Sequence, residues 1–305
     1  MDLLTDGRTV VLDGALATEL ERRGCDLADP LWSAKVLLEE PETIAAVHGD
    51  YFAAGAQVAT TASYQASLDG FAARGLDEDA ALALVRRSVL LAASARDAVG
   101  GDGGARLIAG SVGPYGAFLA DGSEYRGDYQ LSRDEFLRFH RPRVSALLAA
   151  GADVLAFETL PKLTEALALA DLADELGAVG WFSFTLRDAA HISDGTALAD
   201  VAQALDDRAI AIGVNCVPIP LVSPALEALA AHTRLPLVAY PNSGETYDPV
   251  TKTWGAGAQS GADLADLAPE WCERGARLIG GCCRTTPADI AALTQALRSR
   301  APRGR

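Results

Sequence analysis

Eight short, almost uniformly apolar runs recur along the chain, each followed by a segment rich in Ala, Leu, Glu and Arg. They read as strands at Thr9–Asp13, Val58–Thr61, Leu107–Ser111, Val154–Glu158, Trp181–Thr185, Ala209–Asn215, Leu237–Tyr240 and Arg277–Gly281. A strand with one wet face alternates apolar and polar residues. A strand without alternation must be covered on both faces, as in parallel sheets flanked by helices. Strand–helix alternation repeated eight times predicts an α/β fold, a single-domain (β/α)8 barrel of the TIM type. A doubly wound open sheet is the alternative, because apolar runs reveal strands and not whether the first pairs with the last.

The intervening segments carry helix signals. Pro41–Ala54 stops at Gly55, Thr164–Leu176 stops at Gly177, and Glu78–Val99 is long and amphipathic. Ser132 and Glu135 form a capping box ahead of Phe136–Ala150, within which Pro142 should kink the helix. Pro224–His232 and Pro287–Arg298 are the late helices. No shift of composition marks a second domain, so residues 1–305 read as one barrel domain with residues 301–305 a frayed tail. The longest irregular stretches, Pro114–Leu131 and Asn242–Leu264, follow strands, where barrel active sites are built.

Composition narrows the function classes. The net charge is 26 − 41 = −15, and no basic run exceeds two residues, so nucleic acid is not an expected partner. No apolar stretch reaches membrane-spanning length without Gly, Pro or charge, and the N-terminus lacks the order of a signal peptide. Five cysteines in 305 residues do not describe a disulfide scaffold. A cytoplasmic protein that binds small molecules is expected, and a homo-oligomer is compatible with this surface.

Three of those cysteines sit where chemistry is expected. Cys216 ends the sixth strand run, and Gly280-Gly281-Cys282-Cys283 ends the eighth. Three thiolates from two strand ends can hold one Zn2+ and leave its fourth position open, the layout of a catalytic site. Adjacent side chains on a strand point opposite ways, so Cys282 and Cys283 can both bind only where the backbone leaves strand geometry, a turn that the two glycines permit. A lone cysteine is more simply a buried core residue, and Cys25 and Cys272 keep that reading. His48, His140, His191 and His232 lie on helices or a loop and are rejected as ligands.

A three-cysteine zinc site suits a substrate sulfur as fourth ligand. A free thiol with pKa about 8.5 is only a few per cent ionised at neutral pH, whereas coordination deprotonates it. Other strand ends supply Asp13, Thr60, Thr61, Ser111, Glu158, Asn215 and Tyr240. Asp13 and Glu158 could fix an ammonium group, and Asn215 or backbone amides a carboxylate, which together describe a thiol-bearing amino acid. The structural alternatives are a turn residue for Asp13 and an ion pair with Lys162 for Glu158.

In these pieces the sequence resembles the homocysteine S-methyltransferase family, zinc-dependent barrel enzymes that include betaine-dependent ones. The matching segments are Asp13–Leu20, Thr60–Ser67, Gly110–Ala117, Phe157–Thr159, Gly213–Cys216, Tyr240–Asn242 and Gly280–Cys283, in order along nearly the whole chain. The resemblance implies Cys216, Cys282 and Cys283 as zinc ligands, with Asp13 and Glu158 near the homocysteine ammonium. The segment Leu119–Tyr129 looks like the single-domain branch, which prefers S-methylmethionine and also accepts S-adenosylmethionine. No counterpart of the folate- and cobalamin-binding domains of long methionine synthases is present, so those donors are not expected.

The expected reaction is direct methyl transfer from a sulfonium to the homocysteine thiol, giving methionine. Tyr115, Tyr240 or Trp254 could face the sulfonium, a cation–π contact worth roughly 0.5–2 kcal/mol. The alternatives are the same chemistry with selenocysteine as acceptor or betaine as donor, and a zinc- or thiol-binding barrel without turnover.

Overall fold

In a computed structural model that describes residues 7–27, 33–100, 104–243, 247–248, 253–254 and 262–299, the apolar runs form eight parallel strands. They are β1 Val10–Val11, β2 Val58–Thr60, β3 Leu107–Val112, β4 Val154–Leu160, β5 Gly180–Phe184, β6 Ala211–Asn215, β7 Leu237–Tyr240 and β8 Ala276–Ile279. Each pairs with its sequence neighbours, and β1 pairs with β8 through Val10–Leu278 and Val11–Ile279. The last seam is one bridge between Leu12 and Val58, supported by Asp13 N–H donating to Val58 O at 3.0 Å and Gln57 N–H to Val11 O at 2.7 Å. The sheet therefore closes, which decides for the barrel over the open sheet.

Two apolar clusters follow from the two faces of these strands. Inside the barrel lie Val10, Leu12, Val58, Leu107, Ala109, Val154, Ala156, Trp181, Ala211, Val238, Tyr240 and Leu278. The alternate residues, such as Ile108, Leu155, Phe157, Phe182, Ile212 and Ala239, join the larger layer between sheet and helices. Extending the inward rows toward the strand C-termini in steps of two reaches Thr60, Ser111, Glu158, Ser183 and Asn215. The barrel filling is thus apolar below and polar at its upper rim, where the loops begin.

The signalled helices form at Pro41–Ala53, Glu78–Val99, Arg133–Ala149, Leu163–Leu176, Val222–Ala230 and Pro287–Arg298. The Ser132–Glu135 capping box is present in both directions, and the helix runs on through Pro142. Helices at Leu16–Arg22, Ser33–Glu39, Leu68–Ala72, Tyr115–Leu119, Leu198–Leu205 and Ala262–Glu273 were not foreseen. Three of them start at Ala15, Pro114 and Ala197, which make no side-chain cap. Tertiary packing rather than local sequence holds them. Within the stretch read as Asn242–Leu264, Tyr247–Asp248 pairs antiparallel with Thr253–Trp254; the side chain of Trp254 lies outside the described residues, as do residues 301–305. No helix among the described residues is long and apolar enough to cross a membrane.

Candidate metal centre and substrate site

β6 ends at Asn215, and the next residue, Cys216, takes the left-handed conformation at φ +53°. β8 ends at Ile279, and Gly280-Gly281 lead to Cys282 and Cys283. Only β7 lies between β6 and β8. The three Sγ atoms fall within 4.8 Å of one another, with those of Cys216 and Cys283 3.6 Å apart. Tetrahedral coordination with Zn–S near 2.3 Å would place sulfurs roughly 3.8 Å apart, so the trio fits one ion with little adjustment. Among the described residues no other group of three His, Cys, Asp or Glu has its ligand atoms gathered in this way. The four histidines stand outside it, as do Cys25, which is buried, and Cys272, whose Sγ is 3.4 Å from Thr9 Oγ1.

The two glycines do not make the turn expected of them, since neither has a positive φ. Their role is close approach. A Cβ on Gly280 would sit 2.6 Å from Leu12 Cβ, and one on Gly281 2.3 Å from Thr285 Oγ1. That hydroxyl donates to Cys282 O at 2.6 Å and accepts from Ala15 N–H at 3.2 Å, so it ties the end of β8 to the end of β1. The chain reverses at Arg284, φ +68°, whose N–H donates to Thr18 Oγ1 at 3.0 Å. Cys282 N–H donates to Pro241 O at 2.8 Å, and Cys283 O accepts from Ser243 N–H at 3.0 Å. Both cysteines are thereby fixed by the backbone of the segment after β7.

The three thiols shift one another in opposite directions. Hydrogen bonds from Cys282 and then Cys283 pull the Cys216 thiol well below its usual range; burial opposes them, and Tyr125 and Asn242 assist. Cys282 and Cys283 are pushed well up, first by their hydrogen bonds with Cys216. A cluster that concentrates a thiolate in this way is prepared for a cation. The donor set is all sulfur, which favours a soft or borderline ion such as zinc.

The carboxylates occupy the same rim. Asp13 is buried and accepts from Thr60 N–H at 2.8 Å and from Thr60 Oγ1 at 3.0 Å. Burial lifts its pKa to about 8, against the pull of Thr60. Glu158 accepts a short hydrogen bond from Ser111 Oγ. Burial lifts its pKa to about 7, which Ser111 and Tyr240 oppose and Cys216 reinforces. Lys162 does not pair with Glu158; its Nζ donates to Gly127 O at 2.9 Å and Tyr129 O at 3.0 Å.

Several of the predicted site residues hold one another in place. Thr60 holds Asp13 and Ser111 holds Glu158. Thr61 Oγ1 accepts from Ser111 N–H at 3.0 Å and bonds Ser63 Oγ at 2.7 Å. Asn215 spends its amide on Thr159: Oδ1 accepts from Thr159 N–H at 2.7 Å and Nδ2 donates to Thr159 Oγ1 at 2.8 Å. Thr159 is left-handed, φ +62°, where β4 slips register against β5. A β-branched residue is strained there, so Asn215 locks the kink that follows Glu158. Tyr240 bonds Trp181 Nε1 at 3.1 Å and Ser183 Oγ at 2.5 Å.

Tyr115 lies elsewhere. It packs with Phe118, Tyr129 and Phe139 at ring-centroid distances of 5.5, 5.6 and 4.9 Å, in an aromatic cluster of the outer layer. The tyrosine that reaches the sulfur cluster is Tyr125, whose hydroxyl is 3.1 Å from Cys216 Sγ. Sequence reasoning missed it, together with Glu124 and Asn242. The signal available was the polar segment Leu119–Tyr129 after a strand end. Its turn Ser123–Tyr125 follows Ala120 and Gly122, both left-handed. Thr185 Oγ1 holds Glu124 O at 3.0 Å.

With this geometry in place, the likeness to known proteins is specific. The family model for homocysteine S-methyltransferase matches residues 10–297. A homocysteine S-methyltransferase of Escherichia coli (strain K12) is 59% identical over 297 residues, covering 95% of this chain and 96% of that protein. One from Bacillus subtilis (strain 168) is 54% identical over 299 residues, with 95% of each covered. The crystal structure of the homocysteine methyltransferase MmuM from Escherichia coli, metallated form, superposes with TM-score 0.88 at 56% identity, covering 96% of this chain and 98% of that one. The chain belongs to the homocysteine S-methyltransferase family.

Proposed function

We propose that this barrel transfers a methyl group from a sulfonium donor, S-methylmethionine or S-adenosylmethionine, to the thiol of L-homocysteine, with Zn2+ held by Cys216, Cys282 and Cys283. The observation that carries this reading is the gathering of those three sulfurs within 4.8 Å at the rim of a closed barrel. An ion bound there supplies Lewis acidity that keeps an added thiol deprotonated at neutral pH. A metallated relative of the same fold supports a resident metal, and the sulfur-only donor set supports zinc.

The remaining work falls to the chain's own side chains. Glu158 and Asp13 lie on the rim beside the sulfurs and would receive the homocysteine ammonium; that cation would favour their ionised forms despite burial. Asn215 and Ser183 hold the floor, and Thr60 and Ser111 orient the carboxylates. The homocysteine sulfur then attacks the donor methyl in line. One S–C bond forms as the other breaks, the bonding pair stays on the donor sulfur, and that sulfur leaves as a neutral thioether. The donor carries its own activation, so the protein contributes mainly orientation. We read the chain as one domain throughout.

A donor comparison tests this. Metal-loaded protein with homocysteine should form methionine from S-methylmethionine and from S-adenosylmethionine, and Cys216→Ala should form none. Faster turnover of selenocysteine or with betaine would move the substrate assignment. Stoichiometric zinc and homocysteine binding without methionine from any sulfonium would make the barrel a non-catalytic binder.

A further inference from the structure

Among the described residues, Glu124 is a carboxylate near the sulfurs with one oxygen that the chain leaves without a complement. Its Oε2 is fully buried and has no hydrogen-bond partner. Asp13 and Glu158, by contrast, are each held by a neighbouring hydroxyl. Arg126 attracts Glu124 through space, as the last of the influences on its carboxyl, and forms no ion pair with it. Arg126, two residues on, spends Nε on Asp128 at 2.8 Å, Nη1 on Asp121 O at 2.9 Å and Nη2 on Ser123 Oγ at 3.2 Å. Glu124 is also close to the reacting centre. Its charge acts on Tyr64, and that of Cys216 acts on it; the next residue, Tyr125, touches Cys216 Sγ.

A buried carboxylate beside a sulfur-rich centre is costly to ionise, burial lifting the Glu124 pKa to about 7, and an incoming cation stabilises its charged form. Homocysteine is no net cation, because its ammonium is matched by its own carboxylate. A sulfonium donor carries one positive charge in excess. Its methyl must lie in line with the acceptor sulfur, so the charged sulfur comes to rest beside the cysteines and not at the far end of the molecule. We infer that Glu124 receives the sulfonium charge of the methyl donor and so distinguishes donor from product. This rests on the proposed methyl transfer. When the methyl has moved, the donor sulfur is a neutral thioether and the attraction is gone, which favours release. In the transition state the sulfonium charge is already fading, so Glu124 stabilises the bound donor more than the transition state. It is a donor-binding residue and not an accelerator of the chemical step.

The experiment pairs Glu124→Gln with wild type, both with matched zinc content and melting temperature, in calorimetry and in turnover. S-methylmethionine should bind at least about tenfold more weakly to the variant, as expected for one lost charge pair near a protein surface. The donor KM should rise in parallel while kcat holds or rises, because the bound donor loses more stabilisation than the transition state. The KM of homocysteine and inhibition by methionine, which has the same ammonium and carboxylate but no sulfonium, should not move. An unchanged donor affinity overturns the inference. So does an equal weakening of methionine, which would make Glu124 an ammonium anchor, or a rise confined to the homocysteine KM. Calorimetry needs no turnover, so the two readings separate. Glu124-dependent donor binding without methionine formation would sink the proposed reaction alone. Wild type that binds no sulfonium would overturn both.

Discussion

Two buried polar clusters lie on either side of the segment from Gly113 to Tyr129, and they are finished to different degrees. In the outer layer, Glu165 accepts from Tyr115 N–H at 2.6 Å, from His140 Nε2 at 2.8 Å and from the Tyr129 hydroxyl. His140 Nδ1 accepts from Arg143 at 2.8 Å, which fixes a neutral ring, in keeping with a pKa lowered first by burial. Arg143 also donates to Tyr64 O and Gly113 O, and only its Nε lacks a partner. At the barrel rim, three sulfurs lie within 4.8 Å of one another, while Glu124 Oε2 and Asn242 Oδ1 have no partner. Buried polar groups are normally satisfied. The cluster that satisfies itself is a brace for the loop, and the one that does not is shaped for something to be added.

Mutations that treat the two clusters alike should therefore have opposite signatures. The largest effect is on activity. Cys282→Ser should lower kcat/KM for methionine formation by at least about a thousandfold, if the proposed metal is what ionises the thiol. The urea midpoint of metal-free protein should move little. Activity within tenfold of wild type would erase the distinction. Next comes Glu165→Ala, which strands Arg143 in the core. It should cost about 3–5 kcal/mol of stability, read by urea unfolding, while the folded fraction retains its metal. An unchanged midpoint would show that the outer cluster braces nothing.

The pH dependence sharpens the contrast. Folded Asp13 and Glu158 hold their protons to about pH 8 and 7, well above the unfolded values of 3.8 and 4.5. Between those limits the folded state binds more protons than the unfolded one, so stability falls as pH rises. Metal-free protein should lose urea resistance from about pH 5 to pH 8, and Asp13→Asn should flatten that slope. A flat wild-type profile contradicts the burial assigned to these groups. The smallest expected effect is at His48, buried with neither ring nitrogen partnered and a pKa lowered to about 4. His48→Leu should change stability at pH 7 by less than about 1 kcal/mol. Because the unfolded ring takes up a proton below about pH 6.5 and the folded one does not, the variant should gain on wild type at pH 5.

The barrel strands and the three sulfurs were legible because they rest on local residue type: apolar runs for the strands, and Gly-Gly-Cys-Cys with Cys216 for the sulfurs. Barrel closure was not, because it depends on a single bridge between Leu12 and Val58. Side-chain roles at the rim were half legible. Asn215 and Thr60 occupy the expected layer, yet their polar atoms are spent on Thr159 and Asp13. Tyr125 was not foreseen because left-handed Ala120 and Gly122 turn the loop back toward Cys216, a path that no helical or strand periodicity encodes.

The central claim is that Cys216, Cys282 and Cys283 grip one ion and leave a place for a substrate sulfur. Zinc-edge X-ray absorption on protein purified under reductant measures this directly, before and after homocysteine is added. We expect about one zinc per chain, three sulfur neighbours near 2.3 Å, and a fourth sulfur on addition of the amino acid. A metal-free protein, or an ion bound mainly by nitrogen or oxygen whose shell ignores homocysteine, would contradict it.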